Sequence, residues 1–95
     1  VYWVNIGGAF TQLTGNARNY LGSAAVSTGA ISSFAPNPNS YVLCMNKIGN
    51  VLYYGGYFTN VNGIARNYLA ATNVTTSALQ AWNPSPNSYT YNISL

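Results

Sequence analysis

The sequence predicts an all-β protein in which one four-stranded unit occurs twice. Residues 1–47 align with residues 49–95 without a gap, and 18 positions are identical. The apolar segments alternate with a period of two and are rich in Val, Tyr, Thr and Ile, which is typical of strands. The fixed spacing of 48 residues indicates a repeat architecture, in which one unit does not bury its apolar face alone.

Four short antiparallel strands per repeat are typical of a β-propeller blade, whose strands are named a to d from the axis outward. The first repeat, 1–40, starts in strand b. The second repeat, 41–87, has all four strands, and residues 88–95 form strand a of a following blade. The predicted strands are b 2–10, c 18–26, d 31–34, then a 41–46, b 51–58, c 66–74, d 79–82, and a 88–95.

Turn residues justify these boundaries. Residues 46–50 are predicted to form a hairpin loop, and Asn62-Gly63 a tight turn, because both residues tolerate positive φ. Residues 84–87 include two prolines, which cannot donate to a strand ladder, so this segment is a connection between sheets. Gly7-Gly8 and Gly55-Gly56 lie inside strands, where glycine marks a bulge or a close backbone approach rather than a phosphate loop.

Two blades do not close a propeller, which typically needs about 4–8. We therefore expect the chain to be part of a larger propeller or assembly, with further blades or other copies of the protein as partners. Strand 88–95 is expected to pair beyond its own blade. Because it lacks charged residues, it would aggregate unless covered, so we do not expect a free monomer.

The charge content excludes several function classes. Arg18, Lys47 and Arg66 are the only charged residues, and the chain has no Asp, Glu or His. Dispersed cations do not predict a nucleic-acid partner, which needs clustered Lys and Arg. Without ordinary general acids, bases or metal ligands we predict no enzyme, catalytic residue, metal or cofactor. No apolar run reaches the roughly 18 residues of a membrane span, so no membrane insertion is expected.

The missing acids have two interpretations. One is a neutral, Asn- and Tyr-rich surface that neighbours or sugars cover. The other is a sequence read from a density map, in which weak carboxylates make Asp look like Asn. An intact mass that matches the printed sequence would exclude the second interpretation.

Three pairs of residues that share repeat positions are candidate sites. Arg18 and Arg66 form either a cation ring around a ligand or, more in keeping with their recurrence, bonds to loop carbonyls in their own or the next blade. The aromatic pairs are Phe34 with Trp82 and Tyr20 with Tyr68. Their recurrence favours packing between blades, and the alternative is a platform on which sugars stack.

The motif order resembles the bacterial delta-60 or "GGxFT" β-propeller repeat. The matching residues are Gly-Gly-x-Phe-Thr, then Ala-Arg-Asn-Tyr-Leu, a Thr-rich turn, and in the second copy Trp-Asn-Pro. The resemblance covers both copies, with one departure: Asn73 stands where such repeats commonly have Asp. It implies a secreted or surface protein. For this chain we expect a location at a cell surface, an appendage or a virion.

The expected function is a non-enzymatic structural or adhesive scaffold within a larger assembly. One alternative is a lectin-like propeller that binds glycans through Tyr, Trp and Asn. A second alternative is an accessory propeller of a larger enzyme.

Overall fold

The protein is all-β in a computed structural model, which describes residues 2–94. This part of the chain contains no helix, so it has no helix that is long and apolar enough to cross a membrane. The strands are β1 Trp3–Gly7, β2 Gln12–Leu13, β3 Asn16–Ala17, β4 Leu21–Ala25, β5 Val42–Ile48, β6 Val51–Gly56, β7 Asn60–Val61, β8 Ile64–Ala65 and β9 Leu69–Asn73.

The strands form two main antiparallel sheets and two small hairpins. β1 pairs with β4 in the first repeat, and β5-β6-β9 form a three-stranded sheet in the second. The b and c strands pair in the same register in both repeats. Trp3 pairs with Ala25 in the first repeat, and the residues 48 positions later, Val51 and Asn73, pair in the second. The expected hairpin between strands a and b is confirmed as β5-β6, although β5 extends to Ile48.

A two-residue turn closes each small hairpin, β2-β3 and β7-β8. In β7-β8, Asn62 has a φ of 50° and Gly63 a φ of 81°. Positive φ at both positions defines the type I′ turn, so the predicted tight turn is confirmed. In β2-β3, Thr14 and Gly15 have φ values of 48° and 78°. These two-residue strands were not predicted, because they are too short to show an alternating pattern.

The predicted four-stranded sheets are not observed within residues 2–94. Strand d is reduced in each repeat to one isolated bridge, Ala24 with Ile31 and Thr72 with Leu79. Each d segment leaves a tight turn and soon enters a proline-containing connection, which leaves no room for a longer ladder. Residues 88–94 form no strand either. The contact of this segment with the sheet includes a single long backbone hydrogen bond, from Thr90 N to Gly56 O at 3.4 Å.

Strands b and c are shorter than predicted. Strand β9 begins at Leu69 rather than at residue 66, because Tyr68 has a φ of 67°, outside the β region. Tyr20 has the same φ and precedes β4. Tyrosine favours strands, so its side chain gives no sign of this left-handed backbone.

The buried core lies mainly in the second repeat. Strand β6 contributes Leu52 and Tyr54, and the following segment contributes Phe58 and Val61. The first repeat adds Leu21 and Phe34. One continuous cluster therefore joins the two repeats.

Candidate functional site

Arg18 and Arg66 hold the same position and make the same bonds. The Nη1 of Arg18 donates to Ala17 O at 2.7 Å, and its Nη2 donates to Ser32 O at 2.7 Å. Arg66 donates in the same way to Ala65 O at 2.8 Å and to Gln80 O at 3.1 Å. Each guanidinium thus ties a small hairpin to the d segment of its own repeat, and the two cations do not form an exposed ring.

Tyr20 and Tyr68 belong to a surface that we call the tyrosine ribbon, formed by Tyr20, Tyr41, Tyr57, Tyr68, Tyr89 and Tyr91. Tyr20 contacts Tyr41 of the next repeat with ring centroids 5.6 Å apart. Tyr68 contacts Tyr89 with centroids 5.4 Å apart. These two contacts are equivalent by repeat position, so each candidate tyrosine lies against the start of the following unit.

Phe34 and Trp82 share a repeat position but have different surroundings. Phe34 is 3% exposed and belongs to the core. Trp82 is 41% exposed and meets Tyr53 edge-on, with centroids 5.0 Å apart and planes at 88°. Asn5 occupies the position of Tyr53 in the first repeat and brings no ring there.

A groove of about 480 Å³ lies between the two repeats, a size typical of small-ligand sites. We call it the inter-repeat groove. The first repeat contributes aromatic rings, hydroxyls and one amide, and the second repeat contributes one cation, one amide, one hydroxyl and one apolar side chain. Its lining is Tyr2, Trp3, Asn5, Ser23, Ser32, Ser33 and Phe34 from the first repeat, and Lys47, Asn50, Val74 and Thr75 from the second.

The deep wall of the groove is polar. The hydroxyl of Ser23 is hydrogen-bonded to that of Ser32, and Ser32 Oγ also accepts from Phe34 N at 3.2 Å. Ser23 is 4% exposed, so this hydroxyl pair is fixed in position. In the second repeat Ala71 and Gln80 replace the two serines.

Cys44 is a free, half-buried thiol. Burial raises its pKa, because desolvation disfavours the thiolate. Its Sγ lies 3.8 Å from Thr90 O, and the chain has no His, Asp or Glu to serve as its base. Residues 2–94 likewise contain no cluster of three or more potential metal ligands. The Cys44 thiol therefore has no His, Asp or Glu beside it.

The sequence repeat does not reveal the inter-repeat groove, because most of its lining residues differ between the two copies. Of the groove residues only Phe34 was a candidate, whereas Trp3, Asn5 and Lys47 were not. The sequence does show that the two repeats differ at these positions: Asn5 aligns with Tyr53, and Ser23 aligns with Ala71.

Comparison with known protein families, curated proteins and solved structures finds no match to this chain.

Proposed function

We propose that the protein is a non-enzymatic scaffold made of propeller-blade repeats, with a structural or adhesive role in a larger assembly. The partner is another repeat of the same kind, either further along a longer chain or in a second copy. The supporting observation is that the C-terminal segment contacts the second repeat as the second repeat contacts the first.

Close contacts at two equivalent strand glycines, Gly7 and Gly55, support this equivalence. A Cβ atom added to Gly7 would lie 2.8 Å from Val42 Cγ1, so Val42 packs directly on the Gly7 backbone. A Cβ atom added to Gly55 would lie 2.6 Å from Thr90 Cγ2, and Thr90 follows Val42 by 48 residues. Residues 89–91 therefore take the place, on the second repeat, of the first residues of a following repeat.

The proline-containing connection forms a second directional contact. Asn39 N donates to Asn60 O at 3.1 Å, and Asn62 N donates to Asn37 O at 2.9 Å. The connection of the first repeat thereby covers the small hairpin of the second, and Pro38 is fully buried. The side-chain oxygen of Asn39 also accepts from Thr59 N at 2.8 Å.

The connection of the second repeat and the small hairpin of the first repeat could form the same contact with a neighbouring repeat. The connection around Pro86 has no following hairpin to cover within residues 2–94, and Pro86 is half-buried. On the opposite face, Phe10 and Leu13 are half-buried, although their counterparts Phe58 and Val61 are 0% and 1% exposed. A neighbouring repeat would bury both faces in one head-to-tail contact.

We place this scaffold in a secreted or surface-associated protein. The motif resemblance supports that location, and so does a surface with few charges and many Asn and Tyr residues. Such a surface is suited to close contact with neighbours, because little charge has to be desolvated.

Sedimentation velocity of the 95-residue chain over a range of micromolar concentrations tests the proposal. We expect concentration-dependent, head-to-tail association. Phe10→Lys introduces an unpaired charge into the contact and should shift the protein to monomer. Tyr2→Lys adds the same charge at a side chain that is 85% exposed and should leave association unchanged. A folded, monomeric wild-type protein at these concentrations would overturn the proposal.

A further inference from the structure

Beyond the scaffold role, we propose that the inter-repeat groove binds an acidic saccharide. In this arrangement Lys47 pairs with the carboxylate, the ring of Trp3 packs against the sugar, and the serine and asparagine side chains bond its hydroxyls. Each part of the proposal rests on a separate property of the groove.

The first property is an uncompensated cation. Arg18 and Arg66 direct their guanidinium groups to backbone carbonyls, whereas Lys47 is exposed on β5 and lines the groove. The chain has no Asp or Glu, so no acidic side chain of the protein can neutralise Lys47. An anionic group in the groove would gain a charge-assisted bond without displacing an internal partner.

The second property is a set of polar groups that match sugar hydroxyls. Ser23 and Ser32 together have two hydroxyl hydrogens, and their mutual bond uses one. When Ser23 donates to Ser32, the hydrogen of the half-buried Ser32 hydroxyl is left to donate to a ligand. Asn5 and Asn50 each offer both a donor and an acceptor, as a hydroxyl requires.

The third property is an exposed aromatic surface at the rim. Trp3 is 49% exposed and Tyr2 is 85% exposed, and both line the groove. A pyranose presents C–H groups on one face, and these pack favourably on the electron-rich face of an aromatic ring. A nucleotide fits less well, because phosphate recognition uses several N–H donors or cations together, and the groove has one lysine.

Several residues that line this groove in the first repeat are replaced by different residues in the second. In the second repeat the ring of Tyr53 stands at the position of Asn5 and packs edge-on against Trp82 at 5.0 Å. Ala71 and Gln80 stand where the first repeat has its two serines. The first repeat thus has a polar opening where the second has an aromatic contact.

Trigalacturonic acid and its fully methyl-esterified form are the matched probes, because they differ only in charge and the ester methyl groups. The Trp82→Phe variant leaves Trp3 as the single indole, whose N–H resonance reports binding in ¹⁵N-labelled protein. We expect the acid to shift this resonance and to bind about tenfold more tightly than the ester, the effect of roughly one charge-assisted contact. Added salt should weaken binding of the acid and leave the ester unaffected.

Three variants decide which part of the groove binds. Lys47→Gln should abolish the preference for the acid, and Lys47→Arg should keep it. Asn5→Tyr copies the second repeat, fills the groove and should remove binding of both probes. A circular-dichroism melt like that of the wild type shows that each variant is folded. An unshifted Trp3 resonance, equal affinity for acid and ester, or binding that survives Asn5→Tyr would overturn the proposal.

Discussion

The two repeats have the same strand register and turn geometry, yet they differ in burial. Val4 of the first repeat is 51% exposed, whereas its counterpart Leu52 in the second repeat is 1% exposed. The first repeat has a two-stranded sheet, and the second has three strands and a neighbour's connection over its hairpin. Burial in this protein is therefore decided by the adjacent repeat more than by the local sequence.

The largest expected effect of this difference is at the conserved pair of repeat positions Phe10 and Phe58. Phe58 is fully buried, contacts the ring of Tyr54 and belongs to the core cluster. Phe58→Ala should lower the free energy of unfolding by about 3–5 kcal/mol, the usual cost of a large core cavity. Phe10 is only half-buried, so Phe10→Ala should cost less than half as much. Urea unfolding followed by circular dichroism measures both, and equal costs would show that burial does not depend on the neighbouring repeat.

A second comparison uses the glycines at positions 8 and 56. A Cβ atom on Gly56 would lie 2.1 Å from Tyr41 O and 3.0 Å from Val42 Cα. These are backbone atoms at and just before the start of β5, so they cannot rotate away as a side chain could. Gly56→Ala should therefore cost about 1–3 kcal/mol or more through overpacking. A Cβ atom on Gly8 would meet nothing closer than the ring of Phe10 at 3.6 Å.

Gly8→Ala is the matched control, and it should be neutral or stabilising by about 0.4–1 kcal/mol, because alanine restricts the unfolded chain. Thermal melts of the two variants measure the difference. Similar melting temperatures for both would contradict the close approach of β5 to Gly56. A much less stable Gly8→Ala protein would instead indicate that a partner strand covers Gly8 in solution.

These glycines show how far the sequence predicts the fold. The Gly-Gly pair correctly indicated a close backbone approach at Gly56, although Gly8 has no such neighbour, and Asn62-Gly63 correctly indicated a tight turn. The extent of strand c was overestimated because Tyr68 has a left-handed backbone. Its N donates to Phe58 O at 2.9 Å and its O accepts from Gly56 N at 3.2 Å, so tertiary hydrogen bonds override the strand preference of tyrosine.

The inter-repeat groove marks the limit of prediction for the site. A groove between two sheets depends on which side chains are absent as much as on those present. Asn5 leaves space that Tyr53 fills in the other repeat, but the sequence does not say that either residue faces Phe34 or Trp82. Recurring residues indicated packing, whereas the candidate binding residues are those that differ.

The third prediction concerns a buried polar pair that the first repeat lacks. Tyr54 Oη is hydrogen-bonded to Thr72 Oγ1 at 2.8 Å, and the counterparts in the first repeat are the apolar Ile6 and Ala24. Tyr54→Phe leaves the Thr72 hydroxyl without this partner and should cost about 1–3 kcal/mol in urea unfolding. The double variant Tyr54→Phe with Thr72→Val should recover part of this loss, because neither side chain then has an unpaired polar atom. No recovery would show that shape, rather than the hydrogen bond, determines the cost.

The same tyrosine makes stability depend on alkaline pH. Burial raises the pKa of Tyr54 from 10.0 to about 12, because desolvation disfavours the phenolate and outweighs the bond from Thr72 and the charge of Arg66. Above pH 10 the unfolded chain loses this proton first, so stability falls as the pH rises from about 10 to about 12. The loss should approach about 2–3 kcal/mol, and it should be absent from Tyr54→Phe. Equal alkaline slopes for the two proteins would contradict the assignment to Tyr54.

The smallest predicted effect lies at the turn after strand c, where the repeats again differ. The side-chain oxygen of Asn73 accepts from Thr75 N at 2.9 Å and from Thr76 N at 3.0 Å, whereas the first repeat has Ala25 at this position. Asn73→Ala should cost about 0.5–1.5 kcal/mol, because two turn N–H groups lose their acceptor. Asn73→Asp keeps a side-chain oxygen that can accept from both N–H groups, so it should retain full stability.

Ala25→Asn transfers the same acceptor to the first repeat and completes the comparison at this turn. The turn there already has the bond from Gly29 N to Ala25 O at 2.8 Å, which matches that from Ser77 N to Asn73 O at 2.8 Å, so the backbone geometry is in place. Ala25→Asn should therefore raise the melting temperature by a small amount, in the opposite direction to Asn73→Ala. Because Ala25 is 6% exposed, a lower melting temperature would mean that packing at this position outweighs the new hydrogen bonds. That outcome would locate the difference between the two turns in the adjoining core rather than in the side-chain acceptor.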